Sequence, residues 1–156
     1  MKKQNYTTSF LVDNSPQEVY DAVNNVRGWW TENTTGETTK TGDEFSVRFW
    51  DVHYSKQLIV EAIPGKKVVW LVTDSRLTFL EDQQEWTGMK IIFEIFSQGE
   101  QTRLQFTQEG LSPDVEFFND CSNAWNGYVN GSLRSLITTG EGKPEKLETE
   151  DVQQTK

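Results

Sequence analysis

The feature that most constrains this chain is a change of hydrophobic period. In successive runs between residues 43 and 109 apolar positions recur every second residue, whereas from about 113 to 139 they recur every three to four. The first pattern predicts strands at 43–50, 52–63, 67–74, 89–96 and 102–109. Pro64-Gly65 and the stretch SQGEQ supply hairpin turns between them, so the strands form an antiparallel meander. In the last strand Leu104 and Phe106 fall on one face and Arg103, Gln105 and Thr107 on the other, which leaves one side of the sheet wet. Between residues 67 and 74 both phases are apolar, Val68, Trp70 and Val72 against Val69 and Leu71, so alternation alone does not orient that strand. Residues 75–88 lack a strong period and read as a long excursion or an edge strand.

The second pattern predicts one long helix. Ser112, Pro113 and Asp114 supply its amino-terminal signal, and Phe118, Cys121, Trp125, Tyr128, Val129, Ser132 and Leu136 describe one face before an end near Gly140. Gly127 and Gly131 lie inside it, each costing about 1 kcal/mol of helix propensity relative to alanine. Their stripe without side chains is expected to form part of a pocket wall beside Trp125 and Tyr128. Ahead of the meander, residues 5–12 alternate as a strand. Ser15, Pro16 and Glu18 then make a capping box with proline at the first helical position, opening a short helix over about 16–25. Gly28 is read as a breaker, with Trp29 and Trp30 in a second short helix or turn, and 31–43 as an exposed loop. An antiparallel sheet with one apolar face must cover it, and the terminal helix is the long element available. A curved antiparallel sheet wrapped around a carboxy-terminal helix, with two short helices after the first strand, is therefore the expected α+β architecture. It occupies residues 1–140 as a single domain, and the polar stretch 141–156 is expected to be a flexible tail.

Charge and composition narrow the partners. A formal net charge of −9 over 156 residues disfavours nucleic acid and anionic membranes, both of which reward clustered lysine and arginine. The beginning MKKQNYTTSF has no apolar run behind its lysines, and no stretch reaches the length of a membrane span, so a cytoplasmic protein without membrane insertion is expected. A single cysteine, Cys121, fits a reducing compartment, and the sequons at Asn5, Asn33 and Asn130 are then incidental. One histidine, one cysteine and no spaced acidic cluster leave no zinc site, and no cofactor motif is present.

The segments TTSFLVDNSPQEVYDAVNNVRGWW, DEFSVRFWDVHYSKQLIVEAIPGKKVVWLV and AWNGYVNGSLRSLITTGEGKP together resemble, in order and spacing, the START-like (SRPBCC) helix-grip superfamily. Within it they are most similar to the branch named after the heat-shock-protein-90 ATPase activator homologues (AHSA1-like proteins). The resemblance spans about residues 5–145 and rests on the SPQEVYDAV helix, the tryptophan pair, the EAIPGKKVVW hairpin and Trp125, Tyr128, Ser132, Leu133 and Leu136 of the last helix. It implies the helix-grip (START/Bet v-like) fold, with a cavity between sheet and helix that in relatives binds lipids, polyketides or other apolar molecules. The family has no universal catalytic motif, so no catalytic residue is carried over.

Six tryptophans and nine phenylalanines exceed what a core of this size needs, so rings are expected to line a cavity. The candidate ligand-binding residues are Trp30, Phe49, His53, Trp70, Phe93, Phe106, Phe118, Trp125 and Tyr128; for each the plainer alternative is core packing. Arg48, Tyr54, Arg76 and Glu94 are polar groups able to orient a ligand, or simply solvated strand residues. The leading expectation is a module that binds a small apolar or amphipathic molecule. A cyclase or hydrolase acting in the same cavity is the alternative, with His53 or a buried carboxylate as base and Tyr54 or Tyr128 as donor. Cys121 as nucleophile is the weaker variant of that idea, because cysteines on apolar helix faces usually act as small hydrophobes. An interaction protein linked to a chaperone is a third class, implied by the family name alone.

Overall fold

The computed structural model describes residues 6–49, 53–78, 84, 86–111 and 118–144, with the side chains of 118–120 outside the description. Strand β1 (Tyr6–Val12) is followed by α1 (Pro16–Asn24) and α2 (Val26–Trp29). Six strands come next: β2 (Thr34–Gly36), β3 (Glu44–Phe49), β4 (His53–Ile63), β5 (Lys67–Leu77), β6 (Lys90–Gln98) and β7 (Gln101–Glu109). They form one antiparallel sheet in the order β1-β7-β6-β5-β4-β3-β2, so the meander closes by laying its last strand against the first. The chain ends in α3 (Phe118–Trp125), a π-helical segment (Asn126–Leu133) and α4 (Arg134–Thr139).

Local chemistry explains the boundaries of α1. The Ser15 hydroxyl accepts from the Glu18 amide at 3.2 Å while the Glu18 carboxylate accepts from the Ser15 amide at 2.9 Å, satisfying two amides that the first turn leaves without partners. Gly28 is not a breaker; it lies within α2, and the chain turns at Asn25. The expected loop at 31–43 contains the edge strand β2, which three residues of alternation could not announce. Arg27 holds it, donating to the Thr34 carbonyl at 3.1 Å and the Gly36 carbonyl at 2.9 Å. Gly36, at φ 109°, has Glu44 backbone against the position a Cβ would take, so glycine is required there.

Strand β5 runs past its expected end at Asp74. Opposite Lys56 and Gln57 its register skips Thr73, a bulge that restores inward pointing at Ser75 and Leu77. The start of the supposed excursion is thus strand. Val68, Trp70 and Val72 form the inward phase, paired on the same face with Ile59 and Phe93. The core lies between this face and the helices, with Trp29, Trp30, Trp70, Phe45, Phe93 and Phe106 among its largest buried side chains.

Gly140 ends the terminal helix in the left-handed conformation, at φ 88°. The next residues stay on the protein. The Lys143 amide donates to the Ser132 hydroxyl at 2.7 Å, and the Gly142 Cα lies against the Gly28 carbonyl, where a side chain would clash. The expected tail beyond 144 and the helix signal at Ser112, Pro113 and Asp114 lie outside the described residues.

Removing the cap tests the α1 assignment. Ser15→Ala is expected to lower unfolding stability by about 1 kcal/mol, read as a lower urea midpoint at unchanged slope.

Candidate functional site

Rings from a short helix, four strands and the terminal helix meet on the concave side of the sheet. Trp29 and Trp30 project from the end of α2, where the Trp29 indole donates to the Val23 carbonyl at 3.1 Å and its own carbonyl accepts from the Ser132 hydroxyl at 2.7 Å. Trp29 stacks on Trp70 of β5 at 6.4 Å, and Trp30 reaches Trp70 at 5.8 Å, Phe49 at 5.7 Å and Trp125 at 5.0 Å. From the helix side Trp125 packs on Phe106 at 4.6 Å, and Phe93 bridges Phe106 and Trp70. Tyr128 touches Phe49 at 5.9 Å and Trp125 at 6.3 Å. These separations are those of contacting rings. The structure thus brings the sequence-derived candidates into one network, Phe118 excepted, whose side chain lies outside the described residues.

A polar row crosses this aromatic interior. His53, Ser55, Gln57 and Ile59 share the inward face of β4 by simple alternation. The Gln57 amide donates to the Ser55 hydroxyl at 2.7 Å, and His53 Nε2 lies 3.0 Å from the same oxygen. Ser55 sits opposite Ser75 of β5, whose hydroxyl is 2.8 Å from that of Thr87. Beside Thr87, the Trp86 ring stands edge-on to His53 at 5.1 Å and stacks on Trp125 at 6.1 Å. On the helix side the Trp125 indole donates to Gln108 Oε1 at 2.6 Å.

Among the described residues four buried polar side-chain atoms have no hydrogen-bond partner: Asn24 Oδ1, on α1, and, in the aromatic interior, Gln57 Oε1, Trp70 Nε1 and Trp86 Nε1, on residues that are 0 %, 0 % and 4 % exposed. Burying such a group unpaired costs on the order of 1–3 kcal/mol. His53 is only partly exposed, enclosed by Trp30, Phe49 and Trp86, and burial pulls its pKa from 6.5 to about 3. Its imidazole is therefore neutral near pH 7. Among the described residues the buried polar side chains are Asn, Thr, Ser and Gln only, with no charged group in this interior.

The other candidates fall elsewhere. Arg48, Tyr54 and Arg76 stand in register across β3, β4 and β5 on the outer face, with the Arg48 guanidinium 4.9 Å above the Tyr54 ring. Glu94 shares that face, because its neighbours Phe93 and Ile95 take the inward phase. Tyr54 thus points away from His53. Gly127 and Gly131 do not wall the interior: both are exposed, and an added Cβ would meet nothing within 4 Å. Alternation from His53 would have revealed Ser55 and Gln57. Trp86 carried no periodic signal. A separate cleft of about 410 Å³ opens at the surface between α1 and the stretch before β3, lined by Tyr20, Asp21, Asn24, Asn25, Thr38 and Thr39.

A curved antiparallel sheet closed by a terminal helix over an aromatic interior defines the helix-grip class. Residues 13–138 match the family described as Activator of Hsp90 ATPase homolog 1-like protein, and the chain belongs to it. Among solved structures the chain is similar to the Aha1 dimer from Colwellia psychrerythraea, determined in solution. That likeness has a TM-score of 0.73 and 22% identity, covering 89% of this chain and 99% of that one. It is also similar to a Staphylococcus saprophyticus protein (TM-score 0.68, 15% identity, 92% and 99% covered). DynU16, from the dynemicin biosynthetic locus, matches with TM-score 0.65 and 15% identity over 90% of this chain and 49% of its own. At these identities the likeness is one of fold. No curated protein matches the chain.

Two outcomes follow from the geometry. Because folding lowers the His53 pKa, the unfolded chain binds its proton first. The contribution of His53 to stability is full above pH 6.5 and declines as pH falls toward 3. Thermal midpoints should drop between pH 6.5 and about pH 5, ahead of most carboxylate titration, and the drop should be shallower in His53→Gln. Since neither helical glycine meets a neighbour, Gly127→Ala and Gly131→Ala should each raise unfolding stability by about 0.5–1 kcal/mol, measured by urea denaturation.

Proposed function

We propose that this protein binds a small apolar or amphipathic molecule between the concave face of the sheet and the terminal helix, with Trp30, Phe49, His53, Trp70, Phe93, Phe106, Trp125 and Tyr128 around the guest. The observation that carries the reading is the set of unpaired polar atoms on Gln57, Trp70 and Trp86 inside an otherwise aromatic interior. A core selected only for packing gains nothing from them. A guest that pairs with them recovers the desolvation already incurred. The rings touch one another, so a guest is accommodated by movement of the helix that covers them. Its middle is a π-helical segment bearing two exposed glycines, the weakest stretch of that element.

Hydrolase chemistry has less support. A His53 pKa near 3 makes a feeble base at neutral pH, and Tyr54 lies on the opposite face of the sheet. Among the described residues no three of His, Cys, Asp and Glu gather as a metal site would require. Among the described residues no helix is long and apolar enough to cross a membrane, and the lone Cys121 thiol is buried; the setting we propose is the cytoplasm.

Native mass spectrometry of gently purified protein, followed by thermal-shift screening against lipids and neutral aromatic compounds, checks the reading. A stoichiometric adduct, or a concentration-dependent rise in Tm that Trp125→Ala abolishes, is expected. Neither adduct nor shift from any compound would remove it.

A further inference from the structure

We infer that the polar head of the guest is an uncharged group able both to donate and to accept a hydrogen bond, held between Gln57 Oε1 and Trp86 Nε1. The inference rests on the binding reading above and gives it a ligand class: flat, neutral aromatic molecules carrying a hydroxyl or amide.

Three observations carry it. The unpaired atoms are complementary, one acceptor on Gln57 and one donor on Trp86, and a hydroxyl or amide carries the matching donor and acceptor. The two residues belong to one local cluster. Gln57 is bonded to the Ser55 hydroxyl, His53 lies against the same oxygen and against the Trp86 ring, and Ser75, opposite Ser55, is bonded to Thr87 beside Trp86. Finally, among the described residues this interior holds no buried charged side chain to serve as counter-ion. Its buried polar side chains are neutral amides and hydroxyls, so a carboxylate or an ammonium would be buried unpaired. The net charge of −9 further repels anions on approach. The third unpaired atom, Trp70 Nε1, sits among the rings of Trp29, Trp30, Phe45 and Phe93, where it would donate to the π face of an aromatic guest.

Four probes sharing one ring system separate the terms: naphthalene, 2-naphthol, 2-naphthoate and a 2-naphthyltrimethylammonium salt, titrated at pH 7 with tryptophan fluorescence and calorimetry. 2-Naphthol should bind about tenfold tighter than each of the others, as one well-placed hydrogen-bonding group warrants. In Gln57→Leu that advantage should shrink to less than about twofold while naphthalene binding stays within about twofold of wild type. Trp86→Phe, which keeps the ring and loses the N–H, should weaken 2-naphthol in the same way, and circular dichroism checks that both variants fold. Equal or tighter binding of the carboxylate overturns the inference. So does preference for the ammonium, which would place the head over tryptophan faces by cation–π attraction. An advantage of 2-naphthol that survives both substitutions also overturns it. If naphthalene binds but 2-naphthol is not preferred, or if none of the four binds, this inference falls; the binding reading falls only if the wider screen of lipids and neutral aromatic compounds also gives neither adduct nor shift.

Discussion

The contact among Trp30, Trp70 and Trp125 is the constraint on which the rest of the structure depends. The three rings come from a short helix, the middle of the sheet and the terminal helix, and no two of these elements adjoin in sequence. Each ring buries on the order of 200 Å² when enclosed, so their meeting is a large share of what holds helix to sheet. Several local devices serve to hold the rings in place. The capping box starts α1 at a definite residue, α2 follows after one residue, and the Trp29 carbonyl is tied to Ser132 of the terminal helix. The Ser132 hydroxyl in turn takes the Lys143 amide, so the end of the described chain is fastened to the same joint.

Within this apolar setting the row His53, Ser55, Gln57 stands out energetically rather than geometrically. A row of aliphatic residues would pack as well and leave no acceptor without a donor. The same desolvation that leaves Gln57 Oε1 unpaired also keeps His53 neutral, so the interior is polar without being charged. The neutral imidazole and the unpaired amide oxygen are consequences of one environment.

The terminal helix shows how far pattern reading reaches. Its apolar face was legible at three- and four-residue spacing because Cys121, Trp125, Val129 and Ser132 bury, and its end was legible because Gly140 accepts the left-handed turn. The widening to a π-helix between Asn126 and Leu133 was not legible. A one-step change of hydrogen bonding leaves the apolar spacing almost unaltered. Gly127 and Gly131 mark the place, yet their role looked like room for a neighbour until the structure placed both facing outward. The sheet behaves alike: alternation gave the strands and the wet face of β7, while the bulge at Thr73 and the edge strand β2 depend on partners that local sequence does not contain.

What the sequence determined by itself was everything set by neighbours along the chain: the period of each segment, the cap at Ser15, the stop at Gly140, the order of strands and helices, and through these the family. The tertiary structure alone decided which apolar phase of β5 turned inward, which rings touched, and that Gln57 and Trp86 ended up buried with an acceptor and a donor unmatched. The physical reason is range. Dihedral preferences and turn chemistry act over a few residues, whereas burial and the loss of hydrogen bonds to water are settled only when distant strands and helices close over the same atoms.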